Sequence, residues 1–223
     1  MEVLLLILSI VICLIILFII YCTCRYSWNA FRSKKTFCSS PSSCAVIDTR
    51  YEANDKEATE MLNKVDKDLN NLINFMNKRY IQKVIPPARN LKQSEFNERA
   101  YLTKRMKERY HGGILEENRP NSDKETSYVV NKGDKMALCV RGAATQSEHL
   151  VAYDLLQFVA FHEVTHIATE TYNHDFTFWR RFKIILTEAH DAGIYNSPID
   201  YSKSPVNYCT LHLQHNPFFD HTL

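Results

Sequence analysis

The chain has no Asn-x-Ser/Thr sequon and no Cys-x-x-Cys pair, and its seven cysteines follow no framework spacing. The first absence removes the obvious acceptor for an N-linked glycan. The second argues against a structural zinc ribbon, and the third suits free thiols better than a disulfide scaffold. Charge of one sign is also missing: 27 Lys and Arg against 25 Asp and Glu leave a net charge of +2, with 45% hydrophobic residues, as in an ordinary globular protein. The apolar run near the start lacks a basic leader and is not followed by a small-x-small cleavage site, which argues against a cleaved signal peptide.

That run, Val3 to Tyr21, is nineteen residues long and carries no charge. Such a length crosses a bilayer core as a helix, so residues 1–25 are expected to be a transmembrane anchor that meets the membrane through residues 3–21. Glu2 precedes it, while Arg25, Arg32, Lys34 and Lys35 follow it, a bias that places the rest of a single-pass protein in the cytosol. Cys22 and Cys24 at its exit are candidates for S-acylation. Cys38 and Cys44 could pair were the orientation reversed. Residues 26–50, centred on Ser39-Ser40-Pro41-Ser42-Ser43, read as a tether, and residues 51–223 as one domain.

Within that domain, residues 51–124 form a helical N-terminal part. Ala58, Met61, Leu62, Val65, Leu69, Leu72, Ile73, Met76 and Tyr80 recur at three and four, predicting one long amphipathic helix over 52–84 that Pro86-Pro87 ends. A second stretch, Glu95 to Tyr110, carries Arg99, Lys104, Arg105, Lys107 and Arg109 among acidic residues. It reads as a solvated face more readily than as a nucleic-acid contact.

Residues 125–223 carry the chemistry. Ser127–Val130 and Lys135–Arg141 flank Asn131-Lys132-Gly133-Asp134, a hairpin signal. An apolar helical run follows, capped by Ser147 or Asp154, with His162-Glu163-Val164-Thr165-His166 set into it. Residues four apart share one helix face, so His162 and His166 can offer two imidazoles to one ion. Glu163, beside the first of them, is placed to act as a general base on a water. A third ligand is required. His174 lies in a polar turn that can swing back over the helix; Glu188, on the next predicted helix (Phe176 to Ala192, ended by Gly193), is the alternative, and Glu170 a weaker one. Asp175 could orient an imidazole. Trp179 and Phe182 are expected to pack beneath the site. Tyr195 or His190 could donate to an oxyanion. The tail from Tyr195 reads as irregular, with His212, His215 and His221 as surface residues.

The motif, with His174-Asp175-Phe176-Thr177-Phe178-Trp179, Ile184-Ile185-Leu186-Thr187-Glu188-Ala189 and Gly193-Ile194-Tyr195, resembles the WLM family of zinc metallopeptidases, and within it the membrane-tethered versions of large DNA viruses. Asn131-Lys132-Gly133, Leu138-Cys139-Val140-Arg141, Asp200-Tyr201-Ser202-Lys203 and Asn207-Tyr208-Cys209 extend the likeness to about residues 125–220. The gap of seven residues between His166 and His174 exceeds that of the cellular WLM and SprT-like enzymes.

The resemblance implies an α+β chain: a transmembrane helix, then a compact, mostly helical zincin-like domain with a small sheet. It implies Zn2+ on His162, His166 and His174, Glu163 as the catalytic base, and a protein or peptide as substrate. In such folds an edge strand holds the substrate backbone, and Lys135–Arg141 is the expected edge. The rival reading is a catalytically silent, membrane-anchored structural or interaction protein of a virion or envelope, working through residues 52–84. A third, drawn from cellular relatives that remove proteins crosslinked to DNA, fits poorly with a membrane tether.

Overall fold

The computed structural model describes residues 12, 15–20, 34–40, 43–48, 55–110, 114–118, 126–142 and 149–223. It is an α+β fold with a five-stranded sheet and four principal helices. Strands β1 (Lys34–Ser40) and β2 (Ser43–Asp48) form an antiparallel pair in which Cys38 stands opposite Cys44. Helix α1 (Asp55–Met76) and helix α2 (Gln93–Arg109) then lead to β3 (Ile114–Glu117), which returns parallel to β2. Strands β4 (Tyr128–Val130) and β5 (Lys135–Leu138) form a hairpin. Because β5 also pairs in parallel with β3, the strand order is β1-β2-β3-β5-β4. Helices α3 (Tyr153–Ala168) and α4 (Phe176–Asp191) follow, then a short separate hairpin of β6 (Val206–Tyr208) and β7 (Leu211–Leu213).

The core explains why these segments are helices. Ala58, Leu62, Val65, Leu69, Leu72 and Met76 line one face of α1 and are all buried. Helix α3 is the central element: it packs on α1, α2, α4 and the β4–β5 hairpin, and most of its residues are buried. Its apolar run therefore faces protein on several sides instead of showing a stripe. Ala152 is its N-cap, with Asp154 in the first turn; Ser147 lies outside the described residues.

The long first helix is shorter than its periodicity predicts. After Met76 it opens into a π turn, Asn77–Ile81, in which Gln82 N–H donates to Asn77 O at 2.9 Å, and Lys83 at φ +59° ends the path before the double proline. The widened turn buries Arg79 and Tyr80 together.

The transmembrane part of the expected fold is corrected. Among the described residues no helix is long and apolar enough to cross a membrane, and the single-pass membrane location is overturned with it. The described part of the apolar run is Ile12 and Ile15–Ile20, helical and exposed, a fraction of the roughly 20 residues that a span needs. The rest of residues 1–25, with Cys22 and Cys24, lies outside the described residues, as does the whole 26–33 segment of the tether. Residues 34–40 and 43–48 of that tether are strands.

A second correction concerns the cysteines. Cys139, just past β5, is disulfide-bonded to Cys209 in the β6–β7 turn, with 6.5 Å between their Cα atoms and a sequence separation of 70. Beside it Arg141, the end of the expected edge segment, is fully buried in a two-pronged ion pair with Glu117, Nε to Oε1 at 2.6 Å and Nη2 to Oε2 at 2.5 Å.

Candidate metal centre and cleft

One turn of α3 separates His162 from His166, and the polar stretch after the helix folds back to bring His174 over them. The three Nε2 atoms converge: 3.2 Å from His162 to His166, 3.0 Å from His166 to His174 and 2.9 Å from His174 to His162. Ligands on a tetrahedral zinc, with Zn–N of about 2.0–2.1 Å, sit roughly 3.3 Å apart. The spacing is close to that edge length. Three imidazole nitrogens aimed at one point, with no other group of three His, Cys, Asp or Glu so placed among the described residues, suit a cation held from one side.

Phe178, buried on α4, is the floor. Its ring lies 4.9, 4.4 and 4.7 Å from those of His162, His166 and His174. Trp179 and Phe182 extend that floor beneath His162, at 6.3 and 5.3 Å, as expected. This apolar packing fixes the rings and desolvates them. Burial, then the neighbouring His166 and His174, hold His162 well below the usual imidazole value. Burial, His174 and Lys132 bring His166 down to about 4, and burial lowers His174. All three are thus neutral, the metal-binding form, at neutral pH.

The sign of that effect gives a testable pH dependence. A depressed folded value means that the unfolded chain takes up protons first, so the fold loses stability as pH falls from about 6.5 toward the value of about 4 at His166. For an ion held on these nitrogens, retention would follow the folded-state values instead, since protons must displace it from the folded site. Zinc content after dialysis across a pH series is expected to stay near its neutral value at roughly pH 6 and to fall on approach to about 4. Half-loss already at about pH 6.5 would contradict this account.

The imidazoles open into a cleft of about 410 Å³ whose lining includes Glu163, Tyr128, Val129, Lys132, Leu211 and Leu213. Glu163 is 5% exposed and follows His162 on α3. Burial and the Glu163 carboxylate push the hydroxyl of Tyr208 well above its ordinary value.

Other expected site residues stand elsewhere. Glu188 is buried away from the imidazoles, accepting from Tyr80 Oη at 2.6 Å, Arg79 Nη1 at 2.9 Å and Arg99 Nε at 3.1 Å. Ligands for the carboxylate are thus guanidiniums and a phenol. Glu170 accepts from Tyr101. Asp175 is the N-cap of α4, accepting from Phe178 N at 2.8 Å, so it orders the helix that supplies the floor. Tyr195 is buried against Phe161, its hydroxyl pushed up to about 12 by burial and bonded to Asn216; His190 bonds the Tyr195 carbonyl oxygen. Neither lines the cleft. Of the tail histidines, His212 bonds Asn207, and His215 meets Trp179 edge-on. Arg99, part of the supposed basic face, is turned inward to Glu188.

The expected edge strand also changes place. Strand β5 is interior, and β4 ends the sheet, with Tyr128 and Val129 in the cleft wall. Sequence reasoning missed Lys132 as well. It sits in the hairpin turn at φ +60°, after Asn131 at φ +47°. Its Nζ donates to Thr171 O at 2.7 Å and lies 3.9 Å from the centre of the Tyr172 ring. The lysine thereby ties the β4–β5 turn to the segment that carries His174. Asn131-Lys132-Gly133 was visible as a turn, but nothing local shows where its lysine reaches. Gly133 has its own reason: at φ +137°, an added Cβ would stand 2.4 Å from the carbonyl oxygen of Arg109.

No protein-family profile matches the chain. It is 28% identical over 158 residues to Uncharacterized protein R325 of Acanthamoeba polyphaga mimivirus, an alignment covering 71% of this chain and 72% of that protein. It is 29% identical over 83 residues to Uncharacterized protein 136R of Invertebrate iridescent virus 6, covering 37% of this chain and 44% of that one. The chain thus spans less than half of the second relative. Among solved structures, Wss1 from Saccharomyces cerevisiae is similar with 20% identity and a TM-score of 0.34, over 45% of this chain and 77% of that one. A Wss1 mutant gives 0.33 over 45% and 80%. The sequence relatives are viral proteins, in line with the viral likeness of the motif.

Proposed function

We propose that the chain is a zinc-dependent metallopeptidase that hydrolyses peptide bonds in an extended segment of polypeptide. The observation that carries this reading is the convergence of three neutral imidazole nitrogens at 2.9–3.2 Å beside a buried glutamate in one cleft. The motif likeness to WLM peptidases supports it independently.

His162, His166 and His174 would hold the ion, and Phe178 keeps their rings in place. Zinc, when bound, supplies Lewis acidity to the scissile carbonyl and to the attacking water. Glu163 accepts the proton of that water and passes it to the leaving amine. The outer edge of β4, unpaired among the described residues, offers backbone groups to the substrate chain, so binding demands extension more than sequence.

The decisive measurement is zinc content by elemental analysis on the purified chain, comparing wild type with His174→Ala and Glu188→Ala. The expected result is near-equal zinc and protein in wild type and in the folded fraction of Glu188→Ala, with tenfold or greater loss in His174→Ala. No zinc in wild type would sink the reading.

A further inference from the structure

Strand β7 presents alternate residues to two sides. Leu211 and Leu213 line the cleft, while His212 between them is exposed and bonds Asn207 on β6. Leu211 is 49% exposed, an apolar side chain left in water although the β6–β7 pairing does not require it to be apolar. Val129 of β4 and Phe158 and Val159 of α3 line the same cleft. Glu163 is the one carboxylate and Lys132 the one lysine among the described lining residues, and Lys132 is engaged with Thr171 and Tyr172.

The hairpin that carries the leucines is fixed, not free to flap. Cys209 is bonded to Cys139, Tyr208 Oη meets Ser127 Oγ at 2.9 Å, and Thr210 Oγ1 contacts Thr126 Oγ1. Two of these ties reach the residues just before β4. The wall of leucines and the strand edge are therefore held at a set separation, a preorganised slot continuous with the metal centre.

We infer that the β6–β7 hairpin is the selectivity element of the cleft, and that the substrate is an extended polypeptide with a bulky apolar side chain next to the scissile bond. This rests on the peptidase reading for its chemistry, but its binding claim is separable. Leu211, Leu213, Val129, Phe158 and Val159 would cover a Leu, Phe or Met side chain, whereas Asp or Lys would have to shed its water against these apolar side chains. Discrimination between a side chain that fits and one that must be stripped of water is expected at about 10- to 100-fold.

The test uses the full chain and a set of synthetic decapeptides that differ only in whether the position beside the cleavage point is Leu, Phe, Asp or Lys. Peptide binding is read by fluorescence anisotropy on the Glu163→Gln protein, and turnover on wild type by mass spectrometry. The expected result is at least about tenfold tighter binding and faster cleavage of the Leu and Phe peptides than of the Asp and Lys peptides. Leu211→Asp, at a half-exposed position that tolerates a carboxylate, is expected to erase that preference and improve the Lys peptide, with zinc content unchanged. A merely structural leucine would not produce the gain. Equal binding of all four peptides, or an unchanged preference in Leu211→Asp, would overturn the inference. Apolar preference in binding with no turnover by zinc-loaded wild type would sink the peptidase reading and keep the selector; turnover without side-chain preference would do the reverse.

Discussion

Glu163→Gln is expected to keep zinc at the wild-type ratio and to lose peptide hydrolysis by roughly 10²- to 10⁴-fold, the range that a positioned general base contributes. The amide has the shape of the carboxylate but cannot take a proton. Glu163 does not share in the three-nitrogen convergence, so nothing in the ligand set changes. It lies in the cleft wall one residue after His162, outside the three-nitrogen group, where the proposed reaction needs a base rather than a ligand. Zinc by elemental analysis and turnover of one peptide on the same sample separate the two roles. A Gln variant as active as wild type would show that the base is another residue. A variant without zinc would show that the carboxylate helps hold the metal.

The second large effect concerns stability. Glu188→Ala is expected to cost about 3–5 kcal/mol, since removing one member of a buried charge cluster leaves the others uncompensated. Arg79 and Arg99 are 5% and 7% exposed, and both would lose their buried carboxylate partner; Tyr80 would lose the acceptor of its hydroxyl. Asp191 still reaches Arg79 at 3.2 Å but does not reach Arg99 in the structure. Against a typical domain stability of about 5–15 kcal/mol, the change is large enough to read by urea denaturation. A cost under about 1 kcal/mol would mean that water enters and serves the guanidiniums. The network joins the π turn, α2 and α4, so Glu188 acts on the metal floor only by anchoring the helix that supplies it.

Local chemistry was legible in the sequence, and long-range placement was not. His162, His166 and Glu163 follow from their spacing on one helix, and His174 was favoured over Glu188 because a polar turn can fold back over that helix. The periodicity of α1 predicted most of its buried face, with Met61 only partly buried and Thr59 and Asp66 buried without being part of the stripe. By contrast, the choice between β4 and β5 as the edge depends on β3 pairing with β5, a contact between strands separated by a polar connection. Cys139 and Cys209 were unreadable for the same reason: 70 residues carry no spacing rule. Glu188 looked like a ligand because carboxylates on the second helix of such sites can be ligands. Its guanidinium partners come from helices in the first half of the domain, where no motif announces them. Asp175 was read as serving an imidazole, yet a residue of its type just before a helix has a nearer task in capping it.

The Cys139–Cys209 bond has a consequence for the unfolded chain. The ring that it closes contains α3 and α4 whole, and therefore His162, His166 and His174 together. An opened molecule that keeps the bond holds its three imidazoles at high effective concentration, and the chain entropy already removed is worth about 4 kcal/mol for a ring of this size. If these imidazoles hold an ion, its recapture and refolding become the same event on a tethered loop, whereas a thiol form must find both anew from an open coil.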